Sequence, residues 1–399
     1  MTEQQIVYFD DSDASFLEEE HGLTVVEVFD FGEDCACLVE SDINLAELYN
    51  LDTRIFDVDA NFSFETHDIN VTDADELADF SDVRSLHIAE ENLDGQEQTI
   101  AITDSGVDTE HPMFDGVEIK KVNLTDSSQT DSVGHGTAVA GQVVQFAPNA
   151  SLVMLRIFGE RGRTSLRTVL RAYEWVINNA DTVDILNMSI GSSQTSRRLN
   201  SIHNRVERSG VTTVVSAGNS GGPSGSPATA SQAYSVGACD QNGDMARFSS
   251  YNPDGPMNPE VTAVGKNNKL AKSRNGSMGE VIDRNYIKAS GTSFSSPEVA
   301  GMIASLRSHG IENPRKVLSE FAGQVENTNR DGNGLVKYGP AVNSNNNGGP
   351  EIFEKEADVW EFAGGDVFYV KGDNIESGEY VAEITTNNEG ERVFEFKPA

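Results

Sequence analysis

Apolar and polar residues alternate along the first 65 residues in a pattern that predicts a small mixed domain. Strands are predicted at residues 5–9, 23–31, 35–39 and 55–64. Helices are predicted at residues 12–21, where Gly22 ends the segment, and from Ser41 to residue 50. The resulting order βαββαβ predicts a ferredoxin-like α+β domain over residues 1–65.

A different pattern follows, in which apolar strand runs alternate with longer helical stretches. Residues 66–96 are acidic and weakly periodic, and are interpreted as a linker and a first helix. Strands are then predicted at 99–103, 152–157, 185–190, 212–216 and 233–238, and helices after His135, at 165–179, at 195–209 and after Ser293. Residues 97–343 therefore predict an α/β domain, a mostly parallel sheet with helices on both faces. Functional side chains in such sheets lie beyond the carboxyl ends of the strands.

The last part of the chain has its own composition. Asparagine and glycine dominate residues 343–349, so a polar linker is predicted at 344–349. Residues 350–399 contain short strand patterns separated by turn residues. We expect a small β domain there, whose role the sequence does not indicate.

The net charge of the chain limits the partners that it can bind. The chain has 64 acidic and 29 basic residues, a formal net charge of -35. Nucleic acid and anionic membranes are poor partners for such a surface. The imbalance resembles that of proteins from salt-loving organisms. Such a charge makes the folded chain repel itself, and about 1 M salt screens this repulsion because it shortens the Debye length to about 3 Å. An ordinary acidic protein is the alternative interpretation.

Neither a membrane span nor a disulfide framework is predicted. No stretch approaches 18 consecutive apolar residues, and the N-terminus lacks the basic and apolar segments of a secretion signal. We therefore expect a cytoplasmic protein, with export by another route or a viral or particle setting left open. Cys35, Cys37 and Cys239 are expected to be small buried side chains.

Three polar residues stand at strand ends or helix starts, in the order Asp, His, Ser. Asp104 follows a predicted buried strand, His135 lies in a Gly-His-Gly-Thr run, and Ser293 follows Gly-Thr at a helix start. A serine hydroxyl needs a base to act as a nucleophile, and histidine suits that task near neutral pH. A carboxylate is needed to orient the imidazole and to stabilise its charged form.

A fourth residue is a candidate hydrogen-bond donor for an oxyanion. Asn219 lies in a Ser-Ala-Gly-Asn run after a predicted strand, and its side-chain amide could donate to a developing oxyanion. The backbone N–H of Ser293 at the helix start could be the second donor.

These segments, together with Asn-Met-Ser-Ile-Gly at 187–191, resemble those of the subtilases, the subtilisin-like serine peptidases, over roughly residues 85–343. The resemblance implies that Ser293 is the nucleophile, His135 the base and Asp104 its orienting carboxylate, with Asn219 in the oxyanion hole. It implies a peptide or protein substrate and no cofactor. The substrate-binding residues that it implies are Gly162, Arg163, Thr164, Ser189, Ile190, Gly191, Ala217 and Gly218.

The chain departs from the family pattern at several positions. Many subtilases have histidine where Ala138 and Glu298 stand. The segment 147–150 after the histidine helix has no insertion, although many subtilases carry a calcium loop there. We therefore expect no metal site at that position.

The N-terminal domain resembles a subtilase propeptide in position, length and strand order. This resemblance implies an intramolecular inhibitor and chaperone, and hence a self-inhibited zymogen. The run 62–65 (Phe-Ser-Phe-Glu) is expected to lie in the cleft, with cleavage after Phe64.

Alternatives remain at this point. Asp108 and Asp115 are rival carboxylates, although Asp104 is the one at the strand end. An inactive or permanently self-inhibited subtilase fold would act as a peptide-binding or partner-binding module instead. The remaining histidines at 21, 67, 87, 203 and 309 have no matching partners in the sequence and are expected at the surface.

Overall fold

The computed structural model describes residues 3–9, 13–32, 34–66, 77–87, 93–128, 130–192, 194–252, 258–323 and 328–338, and the backbone at 367–372, 375–386 and 392–398. The chain divides into two compact units, Met1–Lys337 and Tyr338–Ala399. The predicted linker at 344–349 lies outside the described residues.

A four-stranded antiparallel sheet forms the N-terminal part of the first unit. Its elements in chain order are β1 (Glu3–Phe9), α1 (Ser15–Glu19), β2 (Thr24–Asp30), β3 (Cys35–Ser41), α2 (Leu45–Tyr49) and β4 (Ile55–Ala60). The strands lie in the order β2-β3-β1-β4. The predicted βαββαβ order and ferredoxin-like arrangement are confirmed.

Successive residues of these strands serve two different cores because side chains alternate between the faces of a sheet. Val7 and Phe9 belong to an apolar cluster that includes Phe16 and Leu48 of the two short helices. Ile6, by contrast, belongs to a large cluster that includes residues of the following α/β domain. One face of the sheet is thus covered by its own helices and the other by that domain.

Two local expectations differ from the structure. The predicted strand 55–64 ends at Ala60, and a separate strand, β5 (Ser63–Glu65), follows. The helix predicted from Ser41 begins only at Leu45, where the Asn44 side chain accepts a hydrogen bond from the backbone of Glu47. Such capping satisfies a free N–H of the first turn.

Seven parallel strands form the central sheet of the first unit. They are β6 (Thr99–Asp104), β7 (Ile119–Asn123), β8 (Ser151–Arg156), β10 (Ile185–Met188), β11 (Thr212–Ser216), β12 (Tyr234–Cys239) and β13 (Val261–Val264). Their order is β13-β12-β11-β10-β6-β8-β7. The parallel α/β fold is therefore confirmed, while the two edge strands β7 and β13 are additions to the predicted set.

Helices flank this sheet. They are α4 (His135–Phe146), α5 (Leu166–Asn178), α6 (Arg197–Arg208) and α7 (Thr292–Ser308). The helices α4 and α7 pack against each other, and α7 lies across strands β10 to β13. The helices α5 and α6 contribute Leu170 and Ile202 to the large apolar cluster that also holds Leu186 and Val215 of the sheet.

The remaining elements are short. They are α3 (Phe80–Leu86), a 3-10 turn (Pro112–Phe114), β9 (Arg163–Ser165), a sheet of β14 (Asn268–Ala271), β15 (Glu280–Val281) and β16 (Tyr286–Ala289), then α8 (Pro314–Glu320) and α9 (Thr328–Asp331). The second unit contains an antiparallel sheet of β17 (Val367–Gly372), β18 (Ile375–Thr386) and β19 (Arg392–Pro398). Within the described part of the chain, none of the helices has the length and apolar character to cross a bilayer.

Candidate active site

Asp104 is the last residue of β6, the first strand of the parallel sheet along the chain. Its side chain is fully buried. The carboxylate accepts a hydrogen bond from the backbone N–H of Ser105 at 2.7 Å, which fixes its orientation. Both carboxylate oxygens also lie 2.9 Å from Nδ1 of His135. A buried carboxylate is therefore held against one nitrogen of an imidazole.

His135 begins helix α4, where the backbone passes very close to the segment after Asp104. A Cβ added to Gly136 would lie 2.1 Å from the carbonyl oxygen of Gly106, so only glycine fits there. The imidazole is fully buried. Because Nδ1 faces a carboxylate, it carries the hydrogen, and Nε2 is the basic nitrogen of the ring.

Ser293 lies in the first turn of helix α7 and is buried. The ring of Phe294, the next residue, lies 5.5 Å from the His135 ring between centroids, so the fold brings the predicted serine and histidine together. The carbonyl oxygen of Ser293 accepts a hydrogen bond from Oγ of Ser189 at 2.9 Å. Its own Oγ lies 3.5 Å from the carbonyl oxygen of Ser189. Ser293 thus contacts the segment after β10, and the residue next to it packs near the imidazole of His135.

Asn219 follows β11 and lies next to the start of α7. Its Oδ1 accepts hydrogen bonds from both the backbone N–H and the hydroxyl of Thr292, each at 2.9 Å. Oγ1 of Thr292 in turn accepts from the N–H of Gly218 at 3.1 Å. Because two donors use the amide oxygen, Nδ2 is the hydrogen-bond donor of this side chain.

The other predicted site residues fall into three segments. Gly162, Arg163 and Thr164 form or precede the edge strand β9, Ser189–Gly191 follow β10, and Ala217 and Gly218 follow β11. Ser189 contacts Ser293, as described above. Ile190 and Ala217 are buried, whereas Gly191 is partly exposed.

Strand β5 of the N-terminal part pairs with β9. The register is antiparallel, with Phe64 opposite Thr164 and Glu65 opposite Arg163. Two further backbone bonds extend the pairing, from Thr66 N–H to the Gly162 carbonyl at 2.9 Å and from Leu166 N–H to the Phe62 carbonyl at 2.8 Å. The segment 62–66 therefore lies along this edge as an added strand.

Asp131 is a residue of the site that the sequence analysis missed. It is almost fully buried, and its carboxylate accepts hydrogen bonds from Ser105 Oγ (2.8 Å), Gly134 N–H (2.8 Å), and both N–H (3.0 Å) and Oγ1 (2.6 Å) of Thr137. Burial raises its pKa above the ordinary value, although these hydrogen bonds oppose that shift. One carboxylate thus joins the segment after Asp104 to the segment around His135. Its position four residues before the histidine was the available signal.

The surface prediction is wrong for two histidines. His87 and His203 are both fully buried. Tyr173 and Thr213 lie on either side of the His203 ring, at 3.0 and 2.7 Å, and burial lowers the His203 pKa to about 3. His203 is therefore a neutral core residue, whereas His87 contacts Glu298, which lies five residues after Ser293 on α7.

One cluster among the described residues has the geometry of a cation site. The ligand atoms of Glu20, His21 and Asp52 lie within 4.8 Å of one another. However, the Arg54 guanidinium bonds both carboxylates, at 2.7 Å to Glu20 and 2.6 Å to Asp52, and lowers the Asp52 pKa. The cluster thus already holds a cation of its own.

Comparison with known proteins gives a consistent result. Residues 95–332 match the model of the subtilase family. The chain is 32% identical over 262 residues to a thermostable alkaline protease of Halalkalibacterium halodurans, covering 62% of this chain and 68% of that one. It is 29% identical over 354 residues to the M-protease of Shouchella clausii, covering 80% and 88%. Subtilisin BL of Lederbergia lenta is 31% identical over 261 residues, covering 61% and 90%.

The matched segment contains the parallel sheet and the four residues Asp104, His135, Asn219 and Ser293. The N-terminal sheet and the second unit lie outside the matched segment. On the match and the fold together, the chain belongs to the subtilase family and is a subtilisin-like serine endopeptidase.

Proposed function

We propose that this endopeptidase cleaves peptide bonds through an acyl-enzyme on Ser293, with His135 as base and Asp104 as its orienting carboxylate. The observation that carries the proposal is the fully buried contact of both Asp104 oxygens with His135 Nδ1 at 2.9 Å. This contact selects the tautomer whose Nε2 can accept a proton, and it stabilises the imidazolium that forms.

The reaction then follows from the placement of these groups. Oγ of Ser293 attacks the carbonyl carbon of the substrate while His135 takes the hydroxyl proton. The oxyanion accepts hydrogen bonds from Nδ2 of Asn219 and from the backbone N–H of Ser293. His135 gives its proton to the leaving amine, and water later attacks the ester with the same histidine as base. Asn219 suits this role because Thr292 already orients its amide.

Substrate is held as an extended strand. The edge formed by Gly162, Arg163 and Thr164 offers backbone groups for pairing, and the segment Ser189–Gly191 would form the opposite side of the groove. Ala217 and Gly218 are proposed to contact the bound peptide near Asn219. Binding by strand addition gives affinity through main-chain bonds and leaves specificity to the side-chain pockets. The pairing of residues 62–66 with this edge supports the assignment.

We also infer that residues 1–65 act as an intramolecular inhibitor. Glu27 forms ion pairs with Arg167 and Arg171 of α5, and Asp57 pairs with Arg198 of α6 at 2.7 Å. The same sheet contributes apolar side chains to the cluster that holds α5 and α6. Strand β5, which follows this sheet in the chain, pairs with the β9 edge that a substrate would need, so the docked N-terminal part would compete with substrate.

A serine-directed fluorophosphonate probe tests the nucleophile. We expect the wild-type chain to be labelled, and the Ser293→Ala and His135→Ala variants to resist labelling while remaining folded by circular dichroism. Labelling that persists in Ser293→Ala would overturn the assignment of Ser293. Mass spectrometry of wild type and Ser293→Ala then tests self-processing, because only the wild type should lose its N-terminal segment.

Inhibition by the docked tail predicts a further difference. Phe64 is 1% exposed, and its truncation in Phe64→Ala removes an anchor of β5. We expect faster labelling of Phe64→Ala than of wild type, whereas Tyr49→Ala, a change at an exposed residue of α2, should leave the rate unchanged. Absence of labelling in all three folded proteins would favour the alternative, a permanently self-inhibited fold that binds peptides or a partner.

A further inference from the structure

The docked segment 62–66 shows how an extended peptide lies on the edge strand β9. Phe64 is buried in the apolar cluster that also contains Leu166 and Ile190, so it anchors the segment. The next residue, Glu65, stands opposite Arg163 in the antiparallel register. Side chains of directly opposed residues lie on the same face of a sheet and can interact. Here Nε of Arg163 lies 2.8 Å from Oε1 of Glu65.

The direction of the segment follows from its last described residue. A Cβ added to Gly162 would lie 2.4 Å from Oγ1 of Thr66 and 3.6 Å from Cγ1 of Val133. Val133 is two residues before His135, so the segment runs from Phe64 toward the histidine. Glu65 therefore lies upstream of the point where a peptide following this path would meet Ser293.

The charges near Arg163 favour an acidic residue at this position. Arg163, Arg167 and Arg171 line one cavity of about 380 Å³, together with the single acidic side chain of Asp126. Glu27 pairs with two of these arginines and Glu65 with the third. Both glutamates belong to the N-terminal segment, so its release leaves a locally basic edge on a strongly acidic chain.

Resting on the proposed function, we propose that Arg163 is a specificity-determining residue, which selects peptides with an acidic residue directly after an apolar anchor and upstream of the cleaved bond. The side chain of Arg163 is 70% exposed, so its effect is modest and is screened by salt. Arg163 acts in substrate selection and takes no part in the chemistry.

The experiment uses the full-length chain and quenched peptides with the sequence of residues 61–70, carrying Glu, Gln or Lys at the position of Glu65. The ratio of the kcat/KM values for two peptides, measured on one preparation, does not depend on the fraction of active sites that the N-terminal segment leaves free for substrate. In dilute salt we expect the wild type to prefer the Glu peptide over the Lys peptide by about three- to tenfold. In about 1 M salt the ratio should approach one.

Two variants make the test specific. Arg163→Glu should reverse the preference, whereas Arg161→Glu changes an exposed arginine two residues away and should preserve it. Equal ratios in wild type and Arg163→Glu would overturn the proposal. The pairing continues past Phe64 through Glu65 and Thr66, so this register does not favour the cleavage after Phe64 that the sequence suggested. Cleavage of the peptides between the anchor Phe and the variable residue would therefore also overturn the proposal.

The outcomes separate this proposal from the proposed function. If the wild type and the tail-loosened Phe64→Ala chain cleave no peptide and bind no fluorophosphonate, the proposed peptidase function fails in favour of the self-inhibited binding fold, and the role of Arg163 fails with it. If the peptides are cleaved in a Ser293-dependent manner without a charge preference, only the role of Arg163 is refuted.

Discussion

Glu298 Oε2 lies 3.2 Å from Nε2 of His87, and both side chains are completely buried. This contact joins helix α7, which carries Ser293, to the segment that precedes the parallel sheet. Oε1 of Glu298 also accepts from Gln142 of α4 at 2.8 Å and from Asn268 at 3.1 Å. Nδ1 of His87 lies 2.6 Å from the carbonyl oxygen of residue 336. Four separate segments therefore meet at one carboxyl group.

The protons of this group can be assigned from its partners. Nδ1 of His87 faces a carbonyl oxygen, so it must donate its hydrogen. Burial raises the Glu298 pKa to about 7, the largest influence on this carboxyl group, while the contact with His87 opposes it. Below that pH the buried Glu298 carboxyl group is protonated and carries no charge.

Glu298→Ala is expected to destabilise the fold by about 3 kcal/mol, because it leaves the buried groups of His87, Gln142 and Asn268 without this partner. Glu298→Gln should cost much less, since its amide can donate to His87 and accept from Gln142. Urea unfolding in a Ser293→Ala background, which prevents self-digestion, measures both. Equal losses for the two variants would contradict the network.

The same carboxyl group predicts a pH dependence of stability. The folded protein keeps this proton up to about pH 7, whereas an unfolded glutamate releases it near 4.5. The folded state thus binds more protons in between, and the stability that Glu298 contributes is complete below pH 4.5 and is lost as the pH rises through about 7. The difference in unfolding free energy between the parent and Glu298→Gln should therefore fall across this window. A difference that rises instead would refute the assignment.

Asn219→Ala should lower kcat by about 10²–10³-fold with little change in KM, the range typical of oxyanion donors in subtilisin-like enzymes. Asn219→Asp is the sharper variant, because a carboxylate keeps the shape but cannot donate to an oxyanion. Steady-state kinetics of both variants tests this, with the enzyme concentration taken as the concentration of sites that the fluorophosphonate probe labels. A change confined to KM would assign Asn219 to ground-state binding.

Asp131→Asn is expected to lower kcat about 10- to 100-fold by misplacing His135, with KM largely retained. The new amide group would face either the Gly134 N–H or the Thr137 donors, and it cannot accept from both sides. Thr137→Val is the matched comparison, since it removes one hydroxyl donor and keeps the carboxylate. If Asp131→Asn lowers only thermal stability, its role is structural.

Salt should stabilise the folded chain if its net charge of -35 is an adaptation to high ionic strength. We expect the unfolding midpoint of Ser293→Ala to rise steadily from dilute buffer to about 1 M potassium chloride, where self-repulsion is screened. Catalytic turnover of the wild type should rise in parallel. Full stability and turnover in dilute buffer would contradict the halophilic interpretation.

The sequence was most informative where local pattern and covalent chemistry agree. The strand Thr212–Ser216 begins and ends as predicted, because buried β-branched residues bounded by turns have few alternatives. The edge strand Ile119–Asn123 was missed, since it contains two lysines and lacks the apolar run of a central strand. Residues 55–64 were predicted as one strand because alternation does not tell which neighbour a strand will pair with. In the fold, Ile55–Ala60 pairs with β1, while Ser63–Glu65 pairs with β9.

The sequence by itself determined the fold class and the candidates Asp104, His135, Asn219 and Ser293, because their glycine-rich surroundings and positions at element ends are local properties. Only the tertiary structure decided that both oxygens of Asp104 face His135, and that Thr292 orients Asn219. It alone paired His87 with Glu298 across 211 positions. Contacts between distant segments depend on how the helices and sheets pack against one another, and no local pattern in the amino-acid sequence indicates that packing.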